Sequence, residues 1–357
     1  MDPLPFSEVV IEPEPLRCAL EQMLTRPSPP QSLLIVGMAG VGKRTLARAL
    51  AAAWLCPQRT PLGHCQTCSV CQKWSETGEH PDLRVLKPEP EQIKIDAVRE
   101  MRGWTSFAPA VAPLRFVIIQ EAHRLNPAAA NALLKTLEEP PPLYHFILTA
   151  PASDLLLPTI LSRCRIVRLG VLTTESVFQR LKSRFELPEE TLRMIAAFSE
   201  GAIGRAIRWA QALQSPESEG KGRSAHDELG ALQQLLGVFT RLSAASLEEA
   251  LRLAYEFREA CKALEGGTEE RSPRAALALG LEYLIQWYRD SLALNYPNAS
   301  LRFTSHRHAL SQLARRFAPA ERQRNLQSIT EARRAILGNA NAQIVTEHLF
   351  IQLLRAG

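Results

Sequence analysis

Apolar and polar positions alternate along this chain in two different ways. Short apolar runs bounded by turn residues recur in the first half: SLLIV from Ser32 to Val36, the segment HPDLRVLKPE, FVIIQ from Phe116 to Gln120, HFILTA from His145 to Ala150, and RIVRL. Runs of this length read as buried strands. Between them lie segments with apolar residues at helical spacing: KRTLARALAAAWL, a helix beginning near AVREM with Asp96 as its cap, AAANALLKTLEE opening at Asn126-Pro127 and stopping at Pro140-Pro141-Pro142, and the short LPTILSRC. Asn as cap with Pro in the first turn is a helix-start signature, and a proline cluster is a stop. Strands alternating with helices predict a parallel sheet covered on both faces.

Past about residue 171 no strand-like run appears. TESVFQRLKSRF, PEETLRMIAAFS and GRAIRWAQALQ read as three short helices, and the polar QSPESEGKGRSAHDE (214–228) as a linker. From Leu229 onward the pattern is helical to Leu354, with LRFTSHRHALSQLARRF the weakest stretch. The expected plan is an α/β domain over 1–170 with an insert at 56–71, a small helical domain over 171–213, the linker, and an all-helical domain over 229–357. There is no internal repeat of 20–50 residues.

Composition changes this picture little. Of 357 residues, 46% are hydrophobic and 22% charged, as in ordinary globular proteins. Lys and Arg number 42 against 37 Asp and Glu, a net charge of +5. That permits contact with nucleic acid without indicating it, and a basic run at 302–324 reads as a helix with a wet face. The acidic, proline-containing start MDPLPFSEVVIEPEP lacks the features of a signal peptide, and no apolar run approaches a membrane span. A cytoplasmic protein without a membrane partner is expected, so its seven cysteines should be free or metal-bound.

Three motifs bear chemistry. GMAGVGKRT (37–45) follows a predicted strand and opens a helix, the context of a phosphate-binding loop G-x-x-x-x-G-K-[ST]. Gly37, Gly42 and Lys43 fall on the pattern, with Gly40 inside it. Arg44 stands where a magnesium-binding hydroxyl belongs, and Thr45 comes one place late. Magnesium also needs an acidic residue at the end of a second apolar strand. FVIIQEAHRL puts Gln120 there, with Glu121 left where a water-activating carboxylate would sit. Both metal contacts are changed, so no Mg²⁺ is expected, and Arg44 is expected to pair with Glu121.

The second motif, CPQRTPLGHCQTCSVC (56–71), places Cys56, Cys65, Cys68 and Cys71 at tetrahedral-zinc spacing, with His64 adjacent as a substitute ligand. An iron–sulfur cluster or unbound thiols are the competing readings. The third is Arg163 in LPTILSRC, either a helix-end cation or an arginine offered to a phosphoryl-transfer site in another subunit. Arg205 in GAIGRAIRW is either solvated or reaches a phosphate.

Together GMAGVGKRT, the four-cysteine insert after the loop helix, FVIIQEAHRLN, NALLKTLEEPP, HFILTA and LLPTILSRC resemble the bacterial clamp-loader branch of the AAA+ ATPases, which serves the DNA polymerase III holoenzyme. The resemblance implies a fold: an AAA+ domain with a parallel sheet, phosphate loop and zinc-binding insert, then a helical lid and an all-α collar. Within the branch, Arg44 and Gln120 match the degenerate, non-hydrolysing stator type rather than the motor type. The implied role is to help load a sliding clamp onto primed DNA within a hetero-pentamer of motor subunits and delta. Arg163 would then be a trans-acting finger, the four cysteines a structural zinc site, Arg205 a loose second-domain sensor, and Thr149 the position of a first sensor. Gly42-Lys43 is compatible with ATP or ADP bound without hydrolysis. An ATP-hydrolysing motor subunit and a zinc-dependent DNA-binding module are the alternatives.

Overall fold

The computed structural model describes residues 3–9, 11–75, 78–89, 92–214, 225–264, 273–296, 299 and 301–355. The chain divides into two compact units, Met1–Leu172 with Ala202–Gly204, and Thr173–Gly201 with Arg205–Gly357.

The first unit is built on a five-stranded sheet of β1 (Ser32–Val36), β2 (Leu83–Leu86), β3 (Arg115–Ile119), β4 (Tyr144–Ala150) and β5 (Arg165–Arg168). The strands lie in the order β2-β3-β4-β1-β5, and every pairing is parallel. β1, β3 and β4 are buried at every residue, as their unbroken apolar runs require of central strands in a sheet covered on both faces. One apolar cluster packs α1 (Glu14–Thr25) and α2 (Lys43–Leu55) through Leu20, Leu46 and Trp54 against Leu33, Ile35 and Phe116. The other packs α3 (Ile95–Trp104), α4 (Pro127–Glu138) and α5 (Pro158–Leu161) through Met101, Leu133 and Ile160 against Leu34, Val117 and Leu148.

Asn126 caps α4 as expected, accepting from the Ala129 N–H at 2.8 Å, with Pro127 in the first turn. Asp96 does not cap α3. Lys94 holds that position without a side-chain bond, and Asp96 lies inside the helix, paired with Arg99 at 3.4 Å. The helix α1 was not legible in the proline-rich start of the chain. The unexpected tie between β2 and β3 is a buried ion pair, Asp82 with Arg115 Nε at 2.8 Å. Asp82 also accepts from the N–H groups of Ala110, Val111 and Ala112 at 2.6 to 2.8 Å. Burial alone would raise this carboxyl, but the three amides and Arg115 overrule it and hold it below the usual aspartate range. Arg115 continues to Tyr144 Oη at 2.9 Å and stacks on Trp104 at 4.5 Å, which fixes the loop 105–114.

The second unit is helical throughout its described residues: α6 (Thr174–Lys182), α7 (Glu189–Phe198), α8 (Ile203–Gln214) from Arg205 onward, α9 (Ala225–Leu242), α10 (Ala250–Lys262), α11 (Pro273–Ala293), α12 (Arg307–Arg316), α13 (Pro319–Leu337) and α14 (Ala342–Leu354). Phe198 of α7 meets Tyr283 of α11 edge to face at 4.8 Å, so helices assigned from sequence to separate small and large helical segments share one compact unit. Of the segment read as a linker, 225–228 is the first turn of α9 and 215–224 lies outside the described residues. No helix among the described residues is long and apolar enough to cross a membrane.

Candidate functional site

The phosphate loop joins β1 to α2 with Gly40 at φ 81° and Gly42 at φ 102°. Side chains rarely adopt that backbone, which is why glycine stands at both places. Gly42 is also the N-cap of α2 and supplies no side-chain cap, so the helix presents its first amides to the loop's concave side. Such an end attracts anions. Lys43 turns back on its own loop, donating from Nζ to the carbonyls of Gly37 at 2.5 Å and Met38 at 2.8 Å. Burial pulls its ammonium down to about 8, Glu121 opposes the fall, and Arg44 adds to it.

At the neighbouring strand ends the expected pairing is present: Arg44 Nη2 donates to Glu121 Oε1. Glu121 also pairs through Oε2 with Arg124 Nε at 3.0 Å, a partner the sequence reading missed. Glu121 has a left-handed backbone, φ 53°, and its N–H donates to Thr149 Oγ1 at 3.1 Å. Gln120 directly follows β3, with its N–H on the Leu86 carbonyl at 2.8 Å. Thus Lys43, Arg44, Gln120, Glu121 and Thr149 converge at the C-terminal ends of β1, β3 and β4, the usual place for a ligand in an open parallel sheet. Thr45 is exposed and lines, with Arg44 and Gln120, an open cleft of about 1270 Å³ along α2, β2 and α3. Arg205 lies in the second unit, 3.6 Å from Glu200 and over the Trp209 ring.

The four insert cysteines come together, with all their sulfurs within 4.8 Å of one another. Cys56 Sγ is 3.5 Å from Cys65 and 3.8 Å from Cys68, and Cys65 is 3.9 Å from Cys71. A tetrahedral ion with Zn–S bonds of about 2.3 Å needs sulfurs about 3.8 Å apart, so the donor set and its spacing fit. The N–H of Thr67, with that of Cys68, draws the Cys65 thiol down to about 6, toward the thiolate a metal takes, while burial raises Cys56 and Cys71. His64 is buried beside the cluster, but the four sulfurs meet without it. Cys56 is the C-cap of α2, so the loop helix delivers the first sulfur directly. The insert is tied to the rest of its unit. Leu62 accepts from the Ser7 N–H at 2.9 Å, Phe6 is buried, and Arg59 donates to the carbonyls of Leu24, Arg26 and Pro27 at the end of α1.

Arg163 follows α5. Its Nη1 donates to Thr159 O at 2.8 Å and Ser162 Oγ at 3.2 Å, and its Nη2 to Glu138 Oε1 at 2.7 Å. Cys164 beside it is a thiol pushed up to about 11 by burial.

A glycine-bearing strand–loop–helix on a parallel sheet, followed by a four-cysteine cluster that could hold a metal such as zinc, defines a fold of the P-loop type. Residues 14–173 match the model of the family described as DNA polymerase III, delta subunit. Over that region the chain is similar to DNA polymerase III clamp-loader subunits of the delta-prime type. It is 36% identical over 186 residues to the DNA polymerase III subunit delta-prime of Haemophilus influenzae, covering 51% of this chain and 55% of that protein. It is 41% identical over 133 residues to the delta-prime subunit of Pseudomonas aeruginosa, 37% of this chain and 40% of that protein. The matches thus span about half the length of these relatives. The tau subunit of Escherichia coli is 29% identical over 262 residues, 71% of this chain and 40% of that protein.

Proposed function

We propose that this chain is the non-hydrolysing stator subunit of a clamp loader, which helps set a sliding clamp on primed DNA and offers Arg163 to the ATP site of an adjacent motor subunit. The observation that carries the reading is the ion pair of Arg44 with Glu121. A hydrolysing loop needs a hydroxyl on magnesium and a free carboxylate near the attacking water. Here a guanidinium stands in place of the hydroxyl, engages the carboxylate, and puts positive charge where the ion would sit. Gln120, an amide, supplies no second anionic ligand. The loop glycines and Lys43 still suit a phosphate, so ATP or ADP held without turnover is consistent with this role.

In this reading the insert carries structural zinc on Cys56, Cys65, Cys68 and Cys71. The ion would neutralise thiolates and fix a loop that has little apolar content of its own. The helices over 171–213 serve as lid and those over 229–357 as the collar of a hetero-pentamer with motor subunits and delta. Arg205 would act from the lid as a sensor, and the protein would work at the replisome in the cytoplasm. Retention of Gly42, Lys43 and Glu121 and the similarity to tau favour the motor reading, but neither replaces the missing metal ligands.

The test is a loader reconstituted with Arg163→Ala. Normal folding and assembly with DNA-stimulated ATPase reduced by roughly 10³-fold is expected, since a trans arginine is worth about 10³–10⁵ in rate. Unchanged ATPase would remove the finger role.

A further inference from the structure

We infer that Glu138 is the positioning residue for Arg163, holding its guanidinium at the angle from which it is presented. This rests on the finger role proposed above. Glu138 is the last residue of α4, next to Glu139, where the helix dipole disfavours a carboxylate. A cation opposite Glu138 offsets that, and Arg163 supplies it at 2.7 Å across 25 positions of sequence. The contact therefore ties the end of α4 to the turn after α5, two elements that otherwise meet through apolar side chains.

The donor inventory points to presentation rather than concealment. A guanidinium has five N–H donors. Thr159 O and Ser162 Oγ take the two on Nη1, and Glu138 takes one on Nη2. Nε–H and one Nη2–H remain, and the side chain keeps 33% of its surface exposed. Two donors suffice for the bidentate grip on phosphate oxygens that distinguishes arginine. Without Glu138 the guanidinium keeps only contacts within its own turn, and nothing from α4 fixes its far end. Misplacement of a group by about 1 Å costs up to ~10²-fold in rate.

The experiment is steady-state ATPase of the loader reconstituted with Glu138→Ala, Glu138→Gln, Arg163→Ala and Arg163→Ala/Glu138→Ala, with thermal melting of each isolated variant to verify folding. Glu138→Ala should lower kcat by about 3- to 30-fold with KM unchanged. Glu138→Gln, whose amide oxygen still accepts from Nη2, should recover most of it, and the double variant should be no slower than Arg163→Ala. A Glu138→Ala loader as fast as or faster than wild type, or losses that multiply in the double variant, would overturn the positioning role while leaving the finger intact. An Arg163→Ala loader at full rate would instead overturn the finger, and this inference with it.

Discussion

The guanidinium of Arg44 donates to the carboxylate of Glu121, joining two residues that lie 77 positions apart. One is the substituted phosphate-loop position, and the other is the acidic group the chain retains after β3. The pair is self-consistent. In the stator role proposed above, Arg44 has no metal to serve and Glu121 no water to activate, and Glu121 is instead held between Arg44 and Arg124. Because Arg44 is 59% exposed, the link adds little to stability, and its consequence is chemical.

Restoring the metal ligands should therefore restore the metal. In the double variant Arg44→Thr/Gln120→Asp, ADP affinity measured by calorimetry should rise at least ~10-fold when Mg²⁺ is added, about the worth of one charged contact. The parent chain should show no such magnesium dependence. Equal magnesium dependence in the two proteins would mean that Arg44 does not displace the ion.

Purified protein should contain one zinc per chain by atomic absorption. Strong chelation should expose 56–71, and with it the N-terminal segment that the insert clamps through Leu62 and Arg59, to protease. The far-ultraviolet dichroism of the sheet and helices should persist. Cys68→Ser retaining full metal content would contradict the ligand set.

Asp82→Asn should cost about 3 kcal/mol in denaturant unfolding, because it leaves Arg115 buried without its counter-charge. The Asp82 carboxyl is held below its unfolded value, so its contribution is fully present above the ordinary aspartate pKa of about 4 and disappears as pH falls through the lower folded value. The stability gap between wild type and Asp82→Asn should hold from pH 7 to about pH 5 and close in stronger acid. A gap that stayed open in strong acid would exclude the ion pair as its source.

Gly280 of α11 lets that helix approach α10. A Cβ built there would lie 2.2 Å from Cys261 Sγ. Gly280→Ala should destabilise by about 1–3 kcal/mol, and Cys261→Ala in the same chain should relieve part of the loss. Strictly additive losses would show that the two residues do not compete for that space.

The elements that the sequence made legible are those whose local signals agree with their tertiary setting. β1, β3 and β4 are short apolar runs because both faces are buried, and α4 carries its cap and its stop within the chain. The Arg44–Glu121 contact was legible because two motif positions departed together from one metal site. α1 was obscured by prolines that, at its start, are compatible with a helix. Asp96 has the right residue type but sits two residues past the N-cap Lys94, inside α3. The Asp82–Arg115 tie and the Glu138–Arg163 contact join residues 33 and 25 positions apart that no local pattern links to each other, so only the fold brings them together.

The most direct measurement is phosphate release by the purified chain alone with Mg²⁺ and ATP. A paired Arg44–Glu121 and an amide at Gln120 require a rate indistinguishable from the no-protein control. Turnover near an ordinary enzyme rate, about 1 s⁻¹ or more, would contradict the stator role.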